Sequence, residues 1–369
     1  MKVSALLGLM QTLLLLCFVH TLTVAQESSG PAPAPAAGAP IPAEEDAAAP
    51  LSISGFVDAY YFHSFNNTVF PTSFTPNNKS FSLGMANVVF SKTGKVGFVA
   101  DLAFGPRAEA ANGYAGSSLA LIKQLFVTYA PSDALTFTLG NFGTHVGYEL
   151  IDSKSNFNYS TSYMFSYGPF FHTGLKANLA LNDRLGLMAG IFNDTDTKID
   201  VVSGKHLGGQ LSYAGDKLSA YLNYIGGRVA DEDELTPETM AHQIDLTASF
   251  KASDAFGLGL NATVKTVKPD GASSQSWSGA ALYAKYALSD WFTLGLRGEL
   301  VNDGDGLITG LEDDSITSFT FSGNFYLGPV TIIPEIRVDN AKQEATYSSL
   351  DGKGLKSASG ALLAVVYSF

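Results

Sequence analysis

The sequence of 369 residues has little cysteine, little charge and, beyond residue 25, no long apolar run. Its one cysteine, Cys17, lies close to the N-terminus, which excludes a disulfide scaffold, a thiolate zinc site and a cysteine nucleophile. Charged residues make up 15%, against roughly 25% in soluble globular proteins, which disfavours an ordinary soluble domain. No stretch after residue 25 offers the ~18 consecutive apolar residues of a membrane-spanning helix, so a helical membrane protein is excluded.

What the chain does contain is 37 glycines, 25 phenylalanines and 16 tyrosines, a mixture typical of many strands and turns. Its formal charge of −12 leaves no basic surface of the kind that binds nucleic acid. We therefore expect an all-β protein that has no nucleic-acid partner.

The first 50 residues have the features of an export segment and a tail. Lys2, an apolar core around 13–19 and a cleavage site ending at Ala25 predict a signal peptide over residues 1–25. A lipoprotein anchor at Cys17 is disfavoured, because a bulky leucine precedes it. Residues 26–50 are rich in Pro and Ala and include an acidic run at 44–46, which predicts a disordered periplasmic tail. A spacer is the favoured role for this tail, and contact with peptidoglycan or a partner is the alternative.

Residues 51–369 divide into sixteen short segments of alternating polarity, each about as long as a tilted strand that crosses a bilayer. They lie near 51–64, 79–90, 95–104, 122–130, 134–142, 169–180, 184–193, 203–214, 217–227, 240–251, 255–266, 276–287, 290–302, 316–327, 329–339 and 358–369. Segment 79–90 breaks phase near Asn87, which predicts a β-bulge. A soluble sandwich also alternates, but its outward polar face carries many more charges than these segments do.

The connections between the segments alternate between long and short, as in outer-membrane barrels with long extracellular loops and short periplasmic turns. Because backbone groups in lipid must all be paired, these strands predict a closed, transmembrane, antiparallel up-and-down β-barrel of about 16 strands. The last segment ends in an aromatic residue, Phe369, and resembles the closing strand of bacterial outer-membrane barrels. That resemblance implies an outer-membrane location and recognition of Phe369 by the barrel-assembly machinery.

Several short motifs resemble the putative beta-barrel porin-2 family of OmpL-like outer-membrane proteins. They are GFVDAYY (55–61), GNFGTHVGYE (140–149), NYS (158–160), GPFFHTG (168–174), LRGE (296–299), NDGDG (302–306) and IPEIRVDN (333–340). The resemblance implies a porin-like barrel, and it supplies neither catalytic residues nor a cofactor.

The longest connection, 143–168, provides the first candidate site residues. By analogy with general porins, this loop folds into the lumen, and Glu149 and Asp152 are then acidic constriction residues. Lys176, Arg297 and Arg337, which face inward by alternation, would supply the opposing field. The alternative is a surface loop that lies over the barrel mouth.

Three further inward residues complete the set of constriction candidates. Glu299 lies two residues from Arg297, and Glu335 lies two residues from Arg337, so that each pair shares a face. This spacing favours a structural ion-pair ladder over a binding site. His172 also faces inward, and a lone lumenal histidine is more often a wall residue than a metal ligand.

Acidic runs at 231–234 and 303–314 are interpreted as solvated outer loops, loosely bridged by divalent cations to lipopolysaccharide. The spacing of the second run differs from that of a calcium loop, and no nucleophile–base motif is present, so we expect neither a metal site nor an enzyme.

The predicted function is a porin. A barrel of sixteen strands leaves an aqueous channel, and residues 26–50 are too few to form a plug. We expect passive diffusion of small hydrophilic solutes through a barrel in contact with outer-membrane lipid, and porin analogy also allows a homotrimer. The alternative is a non-conducting outer-membrane surface protein whose acidic outer loops bind a partner.

Overall fold

The computed structural model describes residues 50–200, 204–229 and 239–369. The predicted signal peptide, the tail up to residue 49 and the acidic run 231–234 lie outside the described residues.

Strand formation follows the alternation of polarity along the chain. The strands are β1 (Ser52–Ser64), β2 (Ser80–Lys92), β3 (Val96–Phe104), β4 (Ile122–Ser132), β5 (Leu135–Gly143), β6 (Phe171–Ala180), β7 (Leu185–Phe192), β8 (His206–Ala214), β9 (Leu218–Val229), β10 (Thr239–Lys251), β11 (Phe256–Pro269), β12 (Gln275–Ser289), β13 (Phe292–Asp303), β14 (Asp314–Leu327), β15 (Val330–Ala341), β16 (Tyr347–Ser348), β17 (Gly354–Leu355) and β18 (Ser357–Ser368). Two short helices lie in the long connections, α1 (Pro106–Asn112) and α2 (Tyr163–Ser166). No described helix is long and apolar enough to span a membrane.

Sixteen of these strands, β1–β15 and β18, form one closed antiparallel barrel, which confirms the predicted fold class. Each strand pairs with its neighbours in sequence, and β18 pairs with both β15 and β1 to close the sheet. The two-residue strands β16 and β17 form a separate hairpin in the last long connection. Closure removes the edges of the barrel sheet, so every barrel strand has partners on both sides.

The burial of side chains along each strand is the reverse of that in a soluble protein. On β10, Gln243, Asp245 and Thr247 are buried, whereas Ile244 and Leu246 between them are exposed on the outer surface. The outer surface is therefore apolar and faces lipid, and the polar face lines the lumen.

The two ends of the barrel differ in the length of their connections. At the turn end the connections are short, for example 215–217 and 328–329, and Gly328 adopts a φ of 62° that favours glycine. At the loop end they include the long segments 65–79, 105–121 and 144–170. Exposed aromatic side chains lie next to the turn end, as in the interfacial girdle of a membrane barrel: Tyr129, Phe250, Tyr286 and Trp291.

A β-bulge interrupts the pairing of β1 with β2. Gly84 and Met85 together lie opposite Asp58, whose carboxylate accepts the Met85 N–H. The expected bulge thus exists, but it lies two residues before Asn87, because the carboxylate of Asp58 provides the acceptor that the bulged backbone needs.

Part of the lumen is filled by a hydrophobic core. Phe56 and Tyr60 of β1 pack with Phe74 of the first long connection and with Tyr159 and Tyr163 of the third. The core also includes residues of β12–β15 and β18. Long connections that fold inward therefore occupy one side of the lumen.

The apolar outer surface predicts a strong position effect for a charge. Leu282, 67% exposed in the middle of β12, should tolerate arginine poorly, because a cation at the bilayer midplane costs about 2–4 kcal/mol. Leu350, 63% exposed between β16 and β17, is the matched control. We expect Leu282→Arg, but not Leu350→Arg, to lower the free energy of unfolding of the barrel refolded in lipid vesicles. Equal effects of the two substitutions would contradict a lipid-facing β12.

Candidate functional site

The connection of residues 144–170, here called the inner loop, lies inside the barrel. His145 Nε2 is 2.9 Å from the carbonyl oxygen of Tyr224 on β9, and the Gly147 N–H donates to Asp245 on β10 at 2.9 Å. Farther along, the Asn158 amide donates to a hydroxyl of β14 at 2.7 Å. The inner loop therefore contacts strands on several sides of the lumen instead of covering the barrel mouth.

Two glutamates of the wall bind the backbone of the inner loop. Glu335 on β15 accepts the N–H groups of Tyr159 at 2.7 Å and Ser160 at 3.0 Å. Glu299 on β13 accepts those of residues 163 and 164 at 3.0 and 2.9 Å. Each carboxylate thus satisfies two donors at once, in hydrogen bonds strengthened by its charge.

Arg297 holds the same segment through a carboxylate and a carbonyl. Its Nη1 donates to Glu149 Oε1 at 2.5 Å and to the carbonyl oxygen of Ser160 at 2.7 Å, and its Nη2 donates to Thr320 on β14 at 3.1 Å. Glu149 also accepts the Ser162 N–H at 2.7 Å. This ion pair between loop and wall is buried, so each charge depends on the other.

Arg337 lies on β15, two strands from Arg297 on β13, and makes similar contacts with the inner loop. Its guanidinium binds Asp339 in a bidentate pair, with both N–O distances 2.9 Å, and donates to the carbonyl oxygen of Thr161 at 2.8 Å. Asp339 also accepts from the Tyr163 hydroxyl at 2.9 Å. Arg297, paired with Glu149, and Arg337, paired with Asp339, therefore both hold the inner loop against the barrel wall.

The expected ion-pair ladder is consequently replaced by different pairs. Arg297 pairs with Glu149 of the inner loop, and Arg337 pairs with Asp339, whereas Glu299 and Glu335 are occupied by backbone donors of the loop. The physical reason is that the loop backbone, inside a barrel, needs acceptors that the two glutamates provide.

Asp152 forms an ion pair that sequence reasoning missed. Its carboxylate contacts the ammonium of Lys123 on β4, and Lys123 is also 2.6 Å from Asp101 on β3. Strict alternation would place Lys123 outside, on the face of Leu125, but the pairing of β3 with β4 shifts register between Asp101 and Leu102. The resulting bulge turns Lys123 into the lumen.

Arg107 on α1 is a second residue that the sequence did not single out. It donates to the carbonyl oxygens of Ile151 at 3.1 Å and Tyr159 at 3.3 Å, and its guanidinium lies 4.7 Å from the ring centres of Phe74 and Tyr159. Its Nε is 3.8 Å from Asp58. Arg107 lies in a long connection, where no periodicity indicates which side chains point inward.

An open cavity of about 680 Å³ remains on the other side of the inner loop. Its walls are the inner faces of β4–β6 and β8–β12, and it extends to the turn end at residues 215–217. Glu149, Asp152 and Lys176 line this cavity. The other predicted site residues are buried against the inner loop or the wall: Arg297, Glu299, Glu335, Arg337 and His172.

His172 is a buried wall residue. Its Nε2 is 2.9 Å from the Thr144 hydroxyl, and its ring stacks on Phe192 with 5.0 Å between the ring centres. Across the described ranges, no group of three or more His, Cys, Asp or Glu residues is arranged to hold a metal ion. The pore role of the predicted constriction residues stays a prediction.

The buried ion pair between loop and wall generates a stability prediction. Glu149→Gln leaves the Arg297 charge without its partner, and such a loss costs about 3–5 kcal/mol. We expect a lower free energy of unfolding and faster proteolysis of the inner loop, with part of the loss recovered by adding Arg297→Met. Asp254→Asn, in an exposed pair with Lys251, is the control and should change little. Additive losses in the double variant would contradict a coupled pair.

His145 predicts a dependence on pH. Burial lowers the pKa of His145 from 6.5 to about 4, so the unfolded chain binds more protons than the folded one between these values. The stability that neutral His145 contributes is complete above pH 6.5 and lost as the pH falls toward 4. The free energy of unfolding measured from pH 7 to 4 should fall less steeply in His145→Gln than in the parent chain. The exposed His63 gives the control, His63→Gln, and an equal change of slope in both variants would contradict the prediction.

Several solved structures share this fold at low sequence identity. The anion-selective porin from Comamonas acidovorans has a TM-score of 0.60 at 13% identity, over 87% of this chain and 99% of that one. OmpT of Vibrio cholerae, in a trimer form, has a TM-score of 0.59 at 9% identity, over 87% and 99%. The outer membrane channel DcaP of Acinetobacter baumannii has a TM-score of 0.55 at 16% identity, over 89% and 100%. These similarities establish the barrel architecture.

None of the curated proteins matches this chain in sequence. The sequence model of one family, described as putative beta-barrel porin-2, OmpL-like, matches residues 50–369, which include all sixteen barrel strands. Since this match extends over the whole barrel, the chain belongs to the putative beta-barrel porin-2, OmpL-like family.

Proposed function

We propose that this porin-like outer-membrane barrel lets small hydrophilic solutes diffuse passively through the space beside the inner loop. The observation that carries the proposal is the open cavity of about 680 Å³, whose walls belong to half of a closed sixteen-stranded barrel. Its volume lies within the range of about 300–1,000 Å³ typical of sites for one small organic molecule. A barrel with a filled lumen would leave no such space.

Selection would combine the width of the passage with the field of the residues that line it. Glu149 and Asp152 lie on the inner loop and Lys176 lies on β6, so that charges of both signs border the cavity. Thr136 and Asn178 add neutral polar groups to the same wall. Such a lining favours hydrated solutes over apolar ones.

The remaining partners follow from the location in the membrane. Phe369 pairs with Gly55 through N–H donors at 3.0 and 3.1 Å, and its side chain is 55% exposed at the barrel seam. We expect recognition of Phe369 by the barrel-assembly machinery, contact of the loops with lipopolysaccharide and cleavage of the signal peptide near Ala25.

A homotrimer is supported by the trimer form of OmpT from Vibrio cholerae. The family and its structural neighbours point to a channel and not to an enzyme.

Two acidic residues of the described loops argue against the alternative of a partner-binding surface protein. Asp303, expected to be solvated, is buried and accepts the N–H groups of Ile308 and Thr309 at 3.0 and 2.8 Å. Asp314 similarly accepts the Lys342 and Gln343 N–H groups at 3.1 and 3.0 Å. These acids stabilise the loops themselves, because a buried carboxylate needs donors.

Planar-bilayer recording of the refolded barrel tests the proposal, and stepwise conductance is expected. Asn178→Trp places a ring in the cavity and should reduce the size of the steps, whereas Leu179→Trp, the next residue on β6, faces lipid and should leave it unchanged. Swelling of liposomes with sugars of graded size should show a cutoff that Asn178→Trp lowers. The absence of steps at any voltage would overturn the proposal.

A further inference from the structure

Three lysines that line the cavity make no ion pair with any residue that the structure describes: Lys176, Lys217 and Lys285. The Lys176 ammonium lies 4.2 Å from the ring centre of Phe142, and the Lys285 ammonium lies 5.0 Å from that of Phe157. Both aromatic contacts position a positive charge at the wall without neutralising it.

The four acidic residues that line the same cavity, in contrast, all have a cationic partner. The pairs are Glu149–Arg297 at 2.5 Å, Asp152–Lys123, Asp254–Lys251 at 2.8 Å and Asp216–Arg184 at 3.9 Å. An acid beside a cation contributes little field at a distance, since the two charges cancel. Lys123 pairs with Asp101 as well as with Asp152, so this group keeps one negative charge, which the three unpaired lysines exceed. The net uncompensated charge of the cavity is therefore positive.

One lysine lies in a cluster of polar groups on the wall of β5 and β6. Lys176 pairs across the strands with Thr138, and Asn178 pairs with Thr136, so that all four side chains share the inner face. Thr136 Oγ1 and Asn178 Oδ1 are buried and have no hydrogen-bond partner among the described residues. We call this cluster of Thr136, Thr138, Lys176 and Asn178 the Lys176 subsite.

We propose that the barrel prefers small anions, and that the Lys176 subsite binds the acid group of each solute as it passes. This inference rests on the proposed function and specifies its solute class. An ammonium, two hydroxyls and an amide provide donors of the kind that bind carboxylate or phosphate oxygens. Lysine side chains in a narrow passage raise the local concentration of anions and impose a barrier to cations.

The Lys176 ammonium contacts an aromatic ring instead of a carboxylate. This arrangement favours transient binding of a passing solute over tight binding. A lysine with a carboxylate partner would have to break an ion pair before it bound a solute. Lys176 instead lies over the Phe142 ring, so a passing anion approaches a charge that is already exposed to the cavity. Conduction requires such binding to be favourable enough for entry and weak enough for release.

Reversal potentials in a KCl gradient across a planar bilayer test the preference. We expect the permeability ratio of chloride to potassium to exceed 1 in the parent chain and to fall about twofold or more in Lys176→Gln. Lys176→Arg keeps the charge and should keep the ratio. Lys353→Gln, at an exposed position between β16 and β17, is the matched control and should also keep it. High salt should reduce the difference, because it screens the lysines.

The outcomes separate this inference from the proposed function. Conductance steps with a potassium preference, or an unchanged ratio in Lys176→Gln, would overturn the anion preference while the porin function stands. No steps in any variant would overturn the porin function itself.

Swelling assays with acetate, benzoate, phosphate and a neutral pentose test the subsite directly. Lys176→Gln and Thr138→Val should slow the entry of the anions about twofold and leave the pentose unchanged. The ratio of the entry rates of acetate and phosphate then shows which acid group the subsite favours. A preference for either anion supports the subsite. Equal slowing of the pentose would overturn the subsite, because it would indicate a narrowed passage.

Discussion

The architecture depends on hydrogen bonds between the backbone of the inner loop and ionised side chains of the barrel wall. A loop that packs against the barrel wall loses the waters that would satisfy its N–H and C=O groups, and the charged side chains that it covers lose theirs. Glu299 and Glu335 accept four N–H groups of the loop, and Arg297 and Arg337 donate to two of its carbonyl oxygens. The wall side chains therefore offset the desolvation of the loop backbone, and the loop backbone offsets the desolvation of the wall charges. Without these wall charges, burial of the inner loop would leave these backbone groups without partners.

This attachment divides the lumen into a packed side and an open side. On the packed side, the rings of Phe74, Tyr159 and Tyr163 join the hydrophobic core against β1 and β12–β15. On the open side, β4–β6 and β8–β12 enclose the cavity. The packed side and the open side thus involve mostly different strands, with β12 taking part in both. Under the proposed function, we expect substitutions on the packed side to act on the position of the loop and those on the open side to act on the solute.

The strands and their inward faces were predictable because lipid imposes a strict alternation of apolar and polar residues. Alternation placed Arg297, Glu299, Glu335 and Arg337 correctly on the inner face. Their partners were not predictable, since the bonds from Glu299 and Glu335 join residues that are 135 to 176 positions apart in the sequence. Lys123 escaped prediction because a bulge reverses its direction. The local sequence pattern thus predicts which side chains face the lumen, whereas their partners depend on contacts between distant parts of the sequence.

The charge of the whole chain is a poor guide to the charge of its passage. The formal charge is −12, yet the three cavity side chains that have no ion-pair partner among the described residues are lysines. The reason is that acidic residues of this barrel bind partners within the chain. Glu149 forms an ion pair with Arg297, and Asp303 accepts a backbone N–H group of its own turn. Under the proposed function, a solute in the lumen responds to the charges that lack a compensating partner, and their balance is positive.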